Sequence, residues 1–82
     1  MSKIFRFGIV NKDVLTDPEL SLTAKAVYSM LATYANKNRT CYPSVKTLAD
    51  VGGCSCSTID RAIKELKIKN YIIREGRKLY LI

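Results

Sequence analysis

The chain has 82 residues, 48% of them hydrophobic and 26% charged, with fourteen Lys plus Arg against seven Asp plus Glu, a net charge of +7 and a pI near 9.5. That length allows one small domain with little room for an enclosed catalytic pocket, and the composition lies well away from that of disordered chains. No apolar run reaches the ~20 residues of a membrane span, and the three cysteines, without an export signal, are expected to be reduced thiols in a cytoplasmic protein.

The charge is not spread evenly. Residues 64–82 hold six of the fourteen cations and only two acids, which favours a polyanion such as nucleic acid as partner. Residues 3–10, "KIFRFGIV", suit a short strand or an extended arm within an N-terminal segment 1–19. "TDPELS" then supplies turn chemistry, with Pro18 fixing φ and Ser21 placed as an N-cap. A helix over about 21–36 follows, with Ala24, Val27, Leu31 and Tyr34, joined by Met30 and Ala35, as its buried face. "NKNRT" interrupts that pattern with two Asn that tolerate left-handed backbone, and "CYP" reads as a short extended link.

Ser44 can cap a second helix over about 44–51 in which Val45, Leu48 and Ala49 face inward and which Gly52-Gly53 ends. A third helix spans about 55–69, because Ile59, Ala62, Ile63 and Leu66 fall at i, i+3, i+4 and i+7, with Asp60, Arg61 and Lys64 on the other side. Asn70 reads as a left-handed stop. The tail 71–82 places two β-branched or aromatic runs around "EGRK", a hairpin with Gly76 in the turn.

Two helices joined by a tight glycine-containing turn, the second amphipathic and basic on its free face, form the layout of a helix-turn-helix. The stretch "CYPSVKTLADVGGCSCSTIDRAIKELKIKNYII" is more specific. It resembles the winged helix-turn-helix domains at the N-terminus of plasmid and phage replication initiators and replisome organisers, and of related bacterial regulators. The matching residues are Tyr42, Pro43 and Ser44, then Thr47, Leu48 and Ala49, then Gly53, Ser55, Thr58, Ile59, Arg61, Ala62, Ile63, Lys64 and Leu66. Upstream, "LSLTAKAVYSMLATYANKN" is similar to the first helix of that group, so the likeness covers about residues 20–75. Two departures stand out: Cys56 and Ser57 occupy positions that often carry Arg or another polar donor, and Asn70 replaces a usual glycine.

The resemblance implies an α+β winged helix-turn-helix: three helices, a C-terminal β-hairpin wing and a short N-terminal strand or arm, all in one domain over 1–82. It implies that Ser55 caps the recognition helix and that Ser57, Asp60, Arg61 and Lys64 face the bases of double-stranded DNA. Helical geometry agrees, since those four positions lie opposite the apolar stripe. Arg61 is the favoured base contact, because a guanidinium can bond guanine O6 and N7 together. Asp60 could instead pair with Lys64 four residues on. Phosphate positioning falls to Tyr42, Ser44, Lys46 and Thr47 at the start of the second helix, with Thr58 and Lys67 as lesser candidates. Arg74, Arg77 and Lys78 surround the wing turn, suited to a minor-groove or flanking-phosphate contact.

Other chemistries fit less well. Without histidine neither a Ser-His-Asp nor a Cys-His pair can be built, so no enzyme and no cofactor are expected. Cys41, Cys54 and Cys56 lack the paired spacing and the fourth ligand of a zinc site. Cys54 suits a small apolar turn position and Cys41 the edge of the core, whereas Cys56, at a helix N-terminus, is where thiol-based regulation would act. Two readings besides replication remain open: a transcriptional regulator of the same fold, and a protein-interaction winged helix without DNA binding. A homodimer formed through Ile4–Val10, a third strand formed by that same arm, and further domains or replication proteins as partners are also left open.

Overall fold

The computed structural model describes residues 10–42 and 44–82. In chain order they form α1 (Lys12–Leu15), α2 (Leu22–Tyr34), β1 (Thr40–Cys41), α3 (Val45–Gly52), α4 (Cys56–Ile68), β2 (Ile72–Glu75) and β3 (Lys78–Leu81). The fold is α+β, the described residues forming four helices and one antiparallel sheet in the order β1-β3-β2, as in a winged helix-turn-helix domain. The expected arm at residues 3–10 lies outside the described residues except for Val10, which packs against the core.

Helix α2 begins where Ser21, with extended backbone, accepts the Ala24 N–H on its hydroxyl at 3.1 Å. Its buried face is Ala24, Val27, Tyr28, Leu31 and Ala32. Tyr34, expected on that face, is instead half exposed, and Tyr28 takes the central place. At 100° per residue the stripe is centred between Val27 and Tyr28, which leaves Tyr34 at its edge. The Tyr28 hydroxyl, 2.7 Å from the Ile82 carbonyl, donates to it and accepts from the Arg39 guanidinium at 3.1 Å. Burial pushes the Tyr28 phenol above its ordinary pKa, against the lowering effect of Arg39.

Two elements differ from the sequence reading. Segment 12–15, read as part of an arm and turn, is a short helix that buries Val14 and is capped by the Asn11 side chain. Four residues with a single buried apolar position are too few to show a helical period. The strand flanking β3 on the side away from β2 is β1, with Thr40 opposite Tyr80 and Cys41 opposite Leu79. Cys41, the first residue of the expected extended link, therefore joins the sheet. In "NKNRT" the left-handed residue is Arg39, at φ 64°, rather than either Asn. Asn36 instead gathers the Asn38 N–H, the Thr40 N–H and the Thr40 hydroxyl on its side-chain oxygen.

Both helices of the motif leave through left-handed residues. Gly53, at φ 67°, follows α3 while the Cys54 N–H reaches back to the Ala49 carbonyl at 3.0 Å. Asn70, at φ 63°, follows α4 while the Tyr71 N–H reaches the Leu66 carbonyl at 3.0 Å. In the wing, Gly76 at φ 62° is the first of two turn residues between Glu75 and Lys78, the place where a type II′ hairpin turn requires glycine.

A polar cluster clamps the exit of α4 to the loop before α2. The Asp17 carboxylate accepts the Glu19 N–H at 2.9 Å and the Tyr71 hydroxyl at 2.8 Å, and pairs with Lys69 at 3.3 Å. Lys69 also reaches Glu19 at 3.0 Å. The Glu19 N–H foremost, then Tyr71 and Lys69, hold the Asp17 carboxyl below its ordinary 3.8, and the two acids hold the Lys69 ammonium above 10.5.

Two outcomes follow. Gly53→Ala should cost about 1 kcal/mol in urea denaturation, because the added Cβ meets open space yet must adopt a left-handed backbone. Asp17 has a depressed folded pKa, so its contribution is present above 3.8 and is lost as pH falls through the folded value. Asp17→Asn should therefore lower the urea midpoint near neutral pH, with the gap to wild type closing as pH drops below 3.8.

Candidate nucleic-acid interface

Ser55 starts α4 with extended backbone, and its hydroxyl accepts the Thr58 N–H at 3.2 Å. Ile59, Ala62, Ile63 and Leu66 then turn inward and are buried. Ser57, Asp60, Arg61 and Lys64 are exposed and, at 100° per residue, occupy an arc of about 100° on the opposite side. Asp60 and Lys64 form no ion pair; the ion pairs among the described residues are those of Lys69 with Asp17 and Glu19. The polar groups of the arc are left to solvent or to a ligand.

Glu65 has a different task from its neighbours. Its two carboxylate oxygens accept the Ser21 N–H at 2.7 Å and the Ser21 hydroxyl at 2.8 Å. Glu65 thus caps the first turn of α2 from the side of α4 and fixes how one helix lies against the other. Arg61, Thr58 and Ala62 form one wall of the shallow groove that results, with Ser21, Thr23 and Glu65 also lining it. Thr58 was expected at a phosphate, and its hydroxyl lies 3.0 Å from that of Ser55, inside the cap of its own helix. Lys67 is exposed at the edge of the arc.

Ser44 begins α3, its hydroxyl 3.4 Å from the Thr47 N–H that donates to it, and Lys46 and Thr47 are exposed in the first turn. Tyr42, just upstream, is 67% exposed. The three wing cations diverge. Arg74 stands opposite Leu79, hence on the sheet face that packs toward α4, and its Nε donates to the Gly76 carbonyl at 3.1 Å. Arg77 is exposed in the turn. Lys78 stands on the far face with its ammonium 5.2 Å from the Tyr80 ring centroid. Tyr80 foremost, then Tyr42 and Glu75, raise the Lys78 pKa above 10.5.

The cysteines divide as burial dictates. Cys41 is buried and its thiol is pushed up by desolvation, Cys54 is half-buried in the turn, and Cys56 is exposed in the first turn of α4. Sequence reasoning missed Ile68, which is 72% exposed and extends the arc of Ser57, Arg61 and Lys64 by one turn. It also missed Glu65 and Tyr80. The alternation of Leu79 and Leu81 with Lys78 and Tyr80 was a readable sign of Tyr80's outer position; nothing in the sequence links Glu65 to Ser21.

A family model described as a helix-turn-helix domain matches residues 19–72, more than half of the chain and the whole of α2 through α4. The chain belongs to this helix-turn-helix domain family. It is also 30% identical over 59 residues to Protein YmfN of Escherichia coli strain K12, a stretch that covers 72% of this chain and 13% of that protein. The chain thus spans about an eighth of the length of that curated relative. No solved structure matches it. A helix-turn-helix domain is a DNA-binding unit, and α3, the Gly53 turn and α4 are its two helices and turn here.

Replacing Glu65 with Ala should cost about 1 kcal/mol, since it removes both acceptors from the start of α2. Glu65→Gln, which keeps one acceptor, should lose less; urea midpoints of the three proteins check both.

Proposed function

We propose that this domain binds double-stranded DNA with α4 in the major groove and the wing against the adjacent backbone or minor groove, in the initiation of plasmid or phage replication. The observation that carries the DNA reading is the arc Ser57, Asp60, Arg61 and Lys64, exposed and without an ion pair on a helix whose other side is buried. Arg61 is its base-reading residue, and Lys46, Thr47 and the Tyr42–Ser44 link position the backbone. Arg74 and Arg77 serve the flanking contact. In this reading the domain is a cytoplasmic binding module without catalytic chemistry.

The replication assignment is supported by the resemblance at Tyr42–Ser44, Thr47–Ala49 and Ser55–Leu66. A protein-interaction role has one observation in its favour. Leu22 and Val51 are well exposed, and near Leu22 the groove bounded by Ala26, Met30 and Cys54 is mostly apolar.

Selection of duplexes from a random pool tests these readings together. Recovered sequences with direct repeats support an origin, palindromes support a dimeric regulator, and no duplex binding at low salt sinks the DNA reading in favour of the interaction one. With a recovered site, log affinity should fall with log salt at a slope near −0.9 per phosphate neutralised. Arg61→Ala should cost about 1–3 kcal/mol and relax sequence preference at one position.

A further inference from the structure

The outer face of the sheet carries an arrangement that the recognition helix does not account for. β3 is the central strand, so each of its outward residues has a neighbour on either side. Tyr80 lies between Thr40 and Ile73, and Lys78 lies opposite Glu75. Continuing the β1–β3 register by one residue sets Tyr42 beside Lys78 on the other flank. A Lys directly across from a Glu is placed for a cross-strand ion pair. Here none forms: among the described residues no ion pair joins Lys78 to Glu75.

Tyr80 touches both groups. Its hydroxyl lies 3.2 Å from Glu75 Oε1 and donates to it, while the Lys78 ammonium sits 5.2 Å from its ring centroid. One side chain occupies the carboxylate and supports the cation. The ammonium therefore stands on the face that Tyr42 shares, and Tyr42 leads through one short link into Ser44 and the exposed first turn of α3 with Lys46 and Thr47. A phenolic O–H and an ammonium that lies by a ring but in no ion pair, beside a helix start, suit one phosphodiester oxygen.

We propose that Tyr42 and Lys78 form a backbone-phosphate site on the outer face of the sheet, separate from the wing tip and continuous with the start of α3, and that Tyr80 is its positioning residue, keeping Lys78 away from Glu75. The proposal rests on the duplex-binding reading above. It assigns Lys78 to the phosphate that α3 addresses, and leaves the minor groove or flanking backbone at the tip to Arg74 and Arg77.

Fluorescence anisotropy on a selected duplex, over a salt series, tests it. Lys78→Gln should reduce the salt slope by about 0.9, the value for one phosphate. Tyr42→Phe should weaken binding a few-fold with the slope unchanged. Tyr80→Leu should weaken binding about as much as Lys78→Gln, and should add nothing in a Lys78→Gln background. Tyr80→Phe keeps the ring but releases Glu75; it should weaken binding, and Glu75→Gln added to it should restore most of the loss. A role of Tyr80 in sheet stability alone would cost affinity equally in both Lys78 backgrounds and would not be rescued at Glu75. Wild-type binding with an unchanged slope in Lys78→Gln, or equal Tyr80→Leu effects in both backgrounds, overturns this site alone. Absence of duplex binding by the wild-type protein overturns the DNA reading and this site with it.

Discussion

The seam between α2 and α4 sets the geometry of the domain. Ile59, Ala62, Ile63 and Leu66 are buried in one core with Ala24, Val27, Tyr28 and Leu31, and once that stripe is inside, helical geometry forces Ser57, Asp60, Arg61 and Lys64 outside. Apolar packing by itself leaves a helix some freedom to slide and roll. The Glu65–Ser21 bonds remove it, because a carboxylate that accepts two bonds from one residue tolerates little displacement.

The connections carry that geometry to the rest of the domain. Left-handed backbone at Gly53 and Asn70 reverses the chain within a residue or two, and in both places an N–H beyond the turn satisfies a carbonyl that the helix end would leave open. The chain after α4 is then held by Tyr71 and Lys69 on Asp17. The last residue is held by Tyr28 and Asn11 on the Ile82 carbonyl. The wing is thereby attached to the same frame that orients the recognition helix.

Four of the seven acids are engaged by other groups of the protein, whereas several cations are not. Asp17 and Glu19 take Lys69, Glu65 takes Ser21, and Glu75 takes the Tyr80 hydroxyl. Lys46, Arg61, Lys64, Lys67 and Arg77 are exposed outside those pairings. These five cations lie on α3, α4 and the wing, where an exposed excess of positive charge attracts a polyanion.

Much of this was legible without coordinates. The period of Ile59 to Leu66, the capping positions of Ser21, Ser44 and Ser55, and the turn requirements at Gly53 and Gly76 are local properties, and each acts within a few residues of where it is written. For the same reason the helix-turn-helix, the hairpin and the outward position of Arg61 are written in the residue pattern alone. Folding in three dimensions settled that Thr40–Cys41 becomes a strand, that Tyr28 rather than Tyr34 is central, and that Glu65 caps a helix 44 residues away. These depend on which distant groups meet, and neither composition nor periodicity encodes a meeting between residues far apart in the chain.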